Sequence, residues 1–183
     1  MSRENRKLLG LLGAVGAIAL NWGVAKSRRL VKSRTPRVPS SPTTTEAGQA
    51  GLGATRELTR SEIVGLVPEY DPHPDGDPDP GEIVWTWVPY VENDGRGKDR
   101  PVLIIARFDR HAVAGCYLST KRHDGFISIG SGAWDPEGRE SFVNPGRILF
   151  VSDSGMRREG HVVTPDRFEQ TVRHIAALHG LST

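Results

Sequence analysis

From about Glu82 onward the chain alternates short apolar runs with polar loops, and that rhythm predicts strands. Glu82–Val88 (EIVWTWV) is dense in β-branched and aromatic residues, which suit a pleated, half-buried surface. Pro101–Ala106 (PVLIIA) is a continuous apolar run, the pattern of a strand buried on both faces. Between them Val91–Lys98 is polar with two glycines, hence a loop. Ala112–Leu118, Gly125–Ile129 and Arg147–Val151 are further strand candidates. Short strands recurring at roughly 10–20 residue intervals predict a small antiparallel barrel.

One helix closes the pattern. Thr164 suits an N-cap, Pro165 the first helical position, and Asp166 and Glu169 the positive helix start. Phe168, Val172, Ile175 and Ala176 recur at helical spacing on one face, and Gly180 supplies the stop. A single helix on a small barrel makes the fold α+β, mainly β.

Upstream the pattern is different. Residues 8–25 (LLGLLGAVGAIALNWGVA) carry no charge and are followed by KSRRLVKSRTPR, with six basic residues and no acid. Such a segment reads as a single membrane helix, as a lipid-surface helix with a polybasic flank, as a cleaved signal peptide, or as a start-site artefact. If it spans, the excess of cations after it places the folded body on the cytoplasmic side, anchored to the inner face of the membrane through residues 8–34. Residues 35–58 are rich in Pro, Ser, Thr, Gly and Ala and read as a disordered tether, although Thr59-Arg60-Ser61-Glu62 has capping-box spacing. The organisation expected is an arm over 1–34, a disordered linker over 35–66 and a barrel domain over 67–183.

Composition sharpens this division. The 183 residues carry a formal charge of +2, but the charge is segregated. Residues 1–45 hold nine basic residues and one acid, whereas 67–183 hold 13 basic and 18 acidic. A single cysteine, Cys116, excludes a disulfide framework and a cysteine-based zinc site, and points to a reducing compartment. Residues 71–82 (DPHPDGDPDPGE) imitate a calcium-binding loop, with Asp71, Asp75, Gly76 and Glu82 in place. Four prolines impose extended geometry on it and remove amide donors, so a stiff, solvated acidic approach to the first strand is expected instead.

The candidate chemistry sits at two strand ends. Gly97-Lys98-Asp99-Arg100-Pro101 opens the buried strand, and Leu118-Ser119-Thr120-Lys121-Arg122-His123-Asp124 carries another strand into a basic loop. If the two strands pair, Arg100 and the Ser119/Thr120 hydroxyls meet at one rim, and a guanidinium beside hydroxyl donors is a clamp for a phosphate or oxyanion. The bland alternative has Arg100 paired with a neighbouring acid such as Asp99 and the hydroxyls as ordinary strand-end residues. His73, His111, His161, His174 and His179 show no metal-ligand spacing. Trp85, Trp87 and Trp134 read as core or barrel rim, with base stacking credible only for an exposed Trp134.

The stretch GEIVWTWVPYVENDGRGKDRPVLIIAR resembles the opening of MazF/PemK-family toxins. Gly81-Glu82-Ile83-Val84-Trp85 and Gly97-Lys98-Asp99-Arg100-Pro101-Val102-Leu103-Ile104 fill both halves of that family's signature, and Ser119-Thr120 matches the Thr/Ser pair ending its next strand. Gly130–Trp134 and the Arg147 strand are similar to its divergent actinobacterial branch. The resemblance spans roughly residues 80–180 and leaves the arm outside. It implies an SH3-like barrel, often a homodimer, that cleaves single-stranded RNA without metal or cofactor and is neutralised by a cognate antitoxin. By position it makes Arg100 and Ser119 catalytic, with Thr120 adjacent, and Val91–Lys98 a mobile flap over the RNA. Lys98, Lys121, Arg122 and His123 are the expected RNA-binding residues.

Metal-free RNA cleavage needs the 2′-OH deprotonated, charge at phosphorus stabilised and the leaving 5′-oxygen protonated. Arg100 cannot serve as a base, so its natural role is electrostatic. His123 titrates in the useful range, with Asp99, Glu92 and Asp94 as alternatives. A second function class stands beside the enzyme: a catalytically silent barrel, tethered at the membrane, that binds nucleic acid or protein. It predicts Arg100 in a closed ion pair and no groove beside Ser119.

Overall fold

In a computed structural model of the chain, residues 45–73 and 75–182 are described. The hydrophobic and basic arm (1–34) and the first part of the linker lie outside the described residues. Among the described residues no helix is long and apolar enough to cross a membrane.

Among the described residues, eight strands and two α-helices run in the order β1 (Arg56–Glu57), α1 (Arg60–Val64), β2 (Glu82–Pro89), β3 (Gly97–Asp109), β4 (Ala112–Ser119), β5 (Ile127–Gly130), β6 (Ser141–Val143), β7 (Leu149–Ser152), β8 (Arg157–Val162) and α2 (Pro165–His179). All pairings are antiparallel, in the order β1-β7-β4-β3-β2-β8, with β6 also on β4 and β5 on β6. The fold is α+β and mainly β, a small antiparallel barrel with a C-terminal helix.

The apolar run of β3 is buried on both faces because successive side chains alternate. Val102 and Ile104 join Val84, Val88, Val113, Leu149 and Val151 in one core. Leu103 and Ile105 join the other, where α2 lays down Phe168, Val172, Ile175 and Ala176. Full burial of such side chains stabilises by about 1.5–3 kcal/mol each. α2 begins at Pro165 and ends where Gly180 takes a left-handed conformation (φ 73°). The Thr164 hydroxyl makes no capping bond. The Thr59–Glu62 capping box forms as its spacing predicts.

Three expectations need correction. The segment read as a disordered linker to residue 66 is folded over its described part. Leu58, Ile63 and Leu66 are buried in the core that also receives α2. Thr55 Oγ1 lies 2.6 Å from Thr86 Oγ1, which in turn donates to the Gly155 carbonyl at 2.6 Å, while the Ala47 carbonyl accepts from the Trp87 amide at 2.9 Å. A low average hydropathy concealed three well-placed anchors and a hydrogen-bonded turn. The folded unit therefore extends N-terminal to residue 67.

The acidic approach is solvated at Asp71, Asp75 and Asp77 only. Asp79 is fully buried, accepts from the His73 amide at 2.9 Å and pairs with Arg107. Glu82, 5% exposed, is held by Arg158 at 3.0 Å. A buried carboxylate requires such partners. No group of three or more His, Cys, Asp or Glu side chains is placed to hold a metal ion among the described residues.

The loop after β2 is shorter than Val91–Lys98. Pro89 already pairs with Gly97 and Val88 with Lys98, so Lys98 stands on β3, and the turn is closed by Tyr90 N to Arg96 O at 3.0 Å. A side chain on Gly97 would meet the Trp87 indole and the Val88 carbonyl at 2.5 Å, which explains a glycine at that strand start.

Candidate functional site

β3 and β4 pair from Asp109/Ala112 as far as Val102/Tyr117. Beyond that point they part company. β3 continues on β2, with Arg100 opposite Thr86 and Lys98 opposite Val88. β4 continues on β6, with Leu118 opposite Val143 and Ser119 opposite Phe142. A cleft of about 490 Å³ is lined by residues of both diverging ends.

β3 contributes Lys98, Asp99, Arg100 and Pro101; β4 and its exit contribute Leu118, Ser119, Thr120, Lys121 and His123. Six of the seven site residues expected from sequence thus converge on one cleft. The exception is Arg122, exposed on the same loop but outside the lining. The lining is completed by Trp85 and Tyr90, by Trp134, Asp135 and Arg139 from the segment between β5 and β6, and by Ser141 at the start of β6.

The charges are sorted. Asp99 is taken by Arg157 of β8, with contacts of 2.6 and 3.1 Å, and the pairing raises the arginine pKa. Asp135 is taken by Arg139 through both carboxylate oxygens and the Arg139 amide, at 2.8–2.9 Å, which holds its carboxyl down at about 2. Among the described residues Arg100 makes no ion pair; its guanidinium lies over the Tyr117 ring, 5.0 Å from the centroid. The alternative in which Arg100 pairs with Asp99 is therefore not the one found. Neighbours on a strand face opposite sides, so Asp99 reaches Arg157 and not Arg100. The silent-barrel reading, which needs a closed ion pair and no groove, meets neither condition.

The hydroxyl side is equally defined. Ser119 Oγ accepts from the Lys121 amide at 3.0 Å, which leaves its own proton free to donate. The His123 ring packs against Phe126, with centroids 4.8 Å apart. Trp134 is 4% exposed and its indole N–H donates to Ser141 Oγ at 3.0 Å, so it serves the core and offers no open stacking face. Sequence reasoning missed Asp135, Arg139, Ser141 and Tyr117. The four-residue Asp135–Arg139 spacing around a turn at Gly138 was the one local signal, and nothing local said that this turn closes over the cleft.

The chain is an antiparallel barrel whose two central strands diverge around a cleft that holds Arg100 and Ser119. The family model for the PemK-like, MazF-like toxin of type II toxin-antitoxin systems matches residues 79–179. The chain belongs to that family. No curated protein matches it. Among solved structures it is similar to an endoribonuclease in complex with its cognate antitoxin from a mycobacterial species, at 20% identity and TM-score 0.44, over 59% of this chain and 98% of that one. It is also similar to a MazE–MazF structure from Deinococcus radiodurans, at 15% identity and TM-score 0.44, over 57% of this chain and 98% of that one.

Proposed function

We propose that the chain is the toxin of a type II pair: a cytoplasmic endoribonuclease that cuts single-stranded RNA without a metal ion and is silenced by a cognate antitoxin. The observation that carries this reading is the convergence of Arg100, Ser119, Thr120, Lys98, Lys121 and His123 on one cleft. Family membership supports the antitoxin partner, and a homodimer belongs to the same reading.

In the proposed reaction the 2′-oxygen attacks the adjacent phosphorus, the bond to the 5′-oxygen breaks, and a cyclic phosphate and a free 5′-hydroxyl result. Arg100, free of a carboxylate partner among the described residues, stabilises the charge that grows on the phosphoryl oxygens. Ser119, its oxygen satisfied by the Lys121 amide, donates to one of those oxygens. His123, in the cleft lining, carries an imidazole that can take a proton from the 2′-oxygen and give one to the 5′-oxygen. Lys98 and Lys121 hold the flanking phosphates. The two carboxylates of the lining, Asp99 and Asp135, are each engaged by an arginine, which favours catalysis by protein groups over a cation held there.

The test is incubation of the purified full chain with a long single-stranded RNA in EDTA. Cleavage is expected, and Arg100→Ala should slow it by roughly 10²–10³, the usual cost of removing one preorganised donor to a developing oxyanion. A correctly folded chain that leaves the RNA intact at every concentration overturns the reading.

A further inference from the structure

Tyr117 faces Val102 across the last rung of the β3–β4 ladder, which sets it diagonally beside Arg100, two residues along β3. Its ring is fixed on several sides. The phenol oxygen accepts from Asn144 Nδ2 at 2.8 Å, and Phe126 meets the ring edge-on with centroids 6.1 Å apart. Two guanidiniums lie over it, Arg100 at 5.0 Å and Arg147 at 5.9 Å from the centroid.

The two arginines differ in what else holds them. Arg147 is bonded to Glu57 at 2.7 Å and to the Pro89 carbonyl at 3.2 Å. Arg100 has no carboxylate partner among the described residues, and its guanidinium has only the aromatic ring to orient it. A carboxylate would orient the guanidinium and also cancel its charge toward a substrate. An aromatic face orients it and leaves the charge intact.

We propose that Tyr117 is the positioning residue for Arg100, an aromatic pedestal that points the guanidinium into the cleft while leaving all five of its donors to a phosphodiester. The proposal rests on the endoribonuclease reading above. Tyr117 itself touches neither the phosphate nor the reacting oxygens.

The test compares the full chain with Y117F, Y117L, R100A and the Y117L/R100A double variant for kcat and KM on single-stranded RNA. Y117F keeps the pedestal and should stay within about twofold of the unmodified chain. Y117L should lower kcat about tenfold, the order expected for a lost cation–π contact, with a smaller change in KM. In the R100A background Y117L should cost less than about twofold, since a residue that acts through Arg100 has nothing left to position. Independent, multiplying losses overturn the proposal. If Y117L loses its cooperative melt, Tyr117→Met replaces it. A chain that cleaves no RNA overturns the endoribonuclease reading, and the pedestal is then judged on the Arg100 side-chain N–H resonance, identified by its absence in R100A. Loss of its ring-current shift in Y117L with retention in Y117F supports the pedestal; an unchanged resonance in Y117L sinks it.

Discussion

Arg157 holds the carboxylate of Asp99 at 2.6 Å, and that contact keeps a negative charge at the cleft neutralised one residue away from Arg100. Removing the arginine exposes that charge to an incoming phosphate. Arg157→Ala should raise KM for single-stranded RNA roughly three- to tenfold, most at low salt, where charges a few ångströms apart are least screened. Adding Asp99→Asn should return KM to near its original value. Steady-state kinetics at two salt concentrations decide it, and an Arg157→Ala chain with unchanged KM would refute the role given to the pair.

The Ser119 hydroxyl makes a separate prediction. Because the Lys121 amide fills one lone pair of Ser119 Oγ at 3.0 Å, the hydroxyl proton stays free to donate, and the proposed reaction gives it to a phosphoryl oxygen. Ser119→Ala should lower kcat by about 10–10², within the cost of a lost donor to the transition state. Ser119→Thr keeps the hydroxyl and should recover most of it. The residue is half-buried at a strand end, so the melting temperature should move by no more than a few degrees.

Arg100 and Ser119 were legible in the sequence for different reasons from the parts that were not. Arg100-Pro101 at the start of an apolar run, and Ser119-Thr120 at the end of another, are both strand-end signals, and strand pairing does the rest. The α2 boundaries were legible because Pro165 and Gly180 have conformational demands of their own. β8 (Arg157–Val162) was not, since RREGHV shows no apolar alternation and gains its order from β2 and from Arg158–Glu82. Residues 46–66 were concealed by composition, because their apolar share of the core is Leu58, Ile63 and Leu66, and the rest of their anchoring is polar, through the Thr55 hydroxyl and backbone hydrogen bonds. Arg139 was concealed because its place in the cleft depends on a turn whose position is set by packing far away in sequence. Tyr117 could be read as a strand residue, but its role appears only once Arg100 lies over it.

The N-terminal segment gives a stability prediction. Deleting residues 1–66 removes Leu58, Ile63 and Leu66 from the core and strips the buried Thr86 hydroxyl of its Thr55 partner. At about 1.5–3 kcal/mol per buried aliphatic side chain, the loss is of the order of 5 kcal/mol, comparable to the entire stability of a small domain. A chain of residues 67–183 should therefore lose its cooperative urea transition, while residues 45–183 keep it. Equal midpoints for the two, followed by tryptophan fluorescence, would show that the segment only decorates the barrel.

Asp135 carries the last prediction, in pH. Its carboxyl ionises at about 2 in the folded chain because Arg139 bonds it first and foremost, with the Arg139 and Glu137 amides adding to the effect. An unfolded aspartate ionises near 3.9. The folded pKa is the lower one, so the contribution is stabilising, fully present above about pH 4, and lost as pH falls through the folded value toward 2. Asp135→Asn should remove that part of the acid dependence, giving a flatter stability curve between pH 4 and 2 and a lower plateau above it. Because Asp135 and Arg139 both line the cleft, the same substitution leaves Arg139 with Glu137, 2.9 Å away, as its remaining acidic partner. RNA affinity near neutral pH should then rise by a few fold as the guanidinium is freed toward phosphate. Urea titrations at closely spaced acid pH values and an RNA-binding isotherm near neutrality read the two effects separately. An unchanged acid slope in Asp135→Asn would mean that the Asp135–Arg139 contact does not hold this wall of the cleft in place.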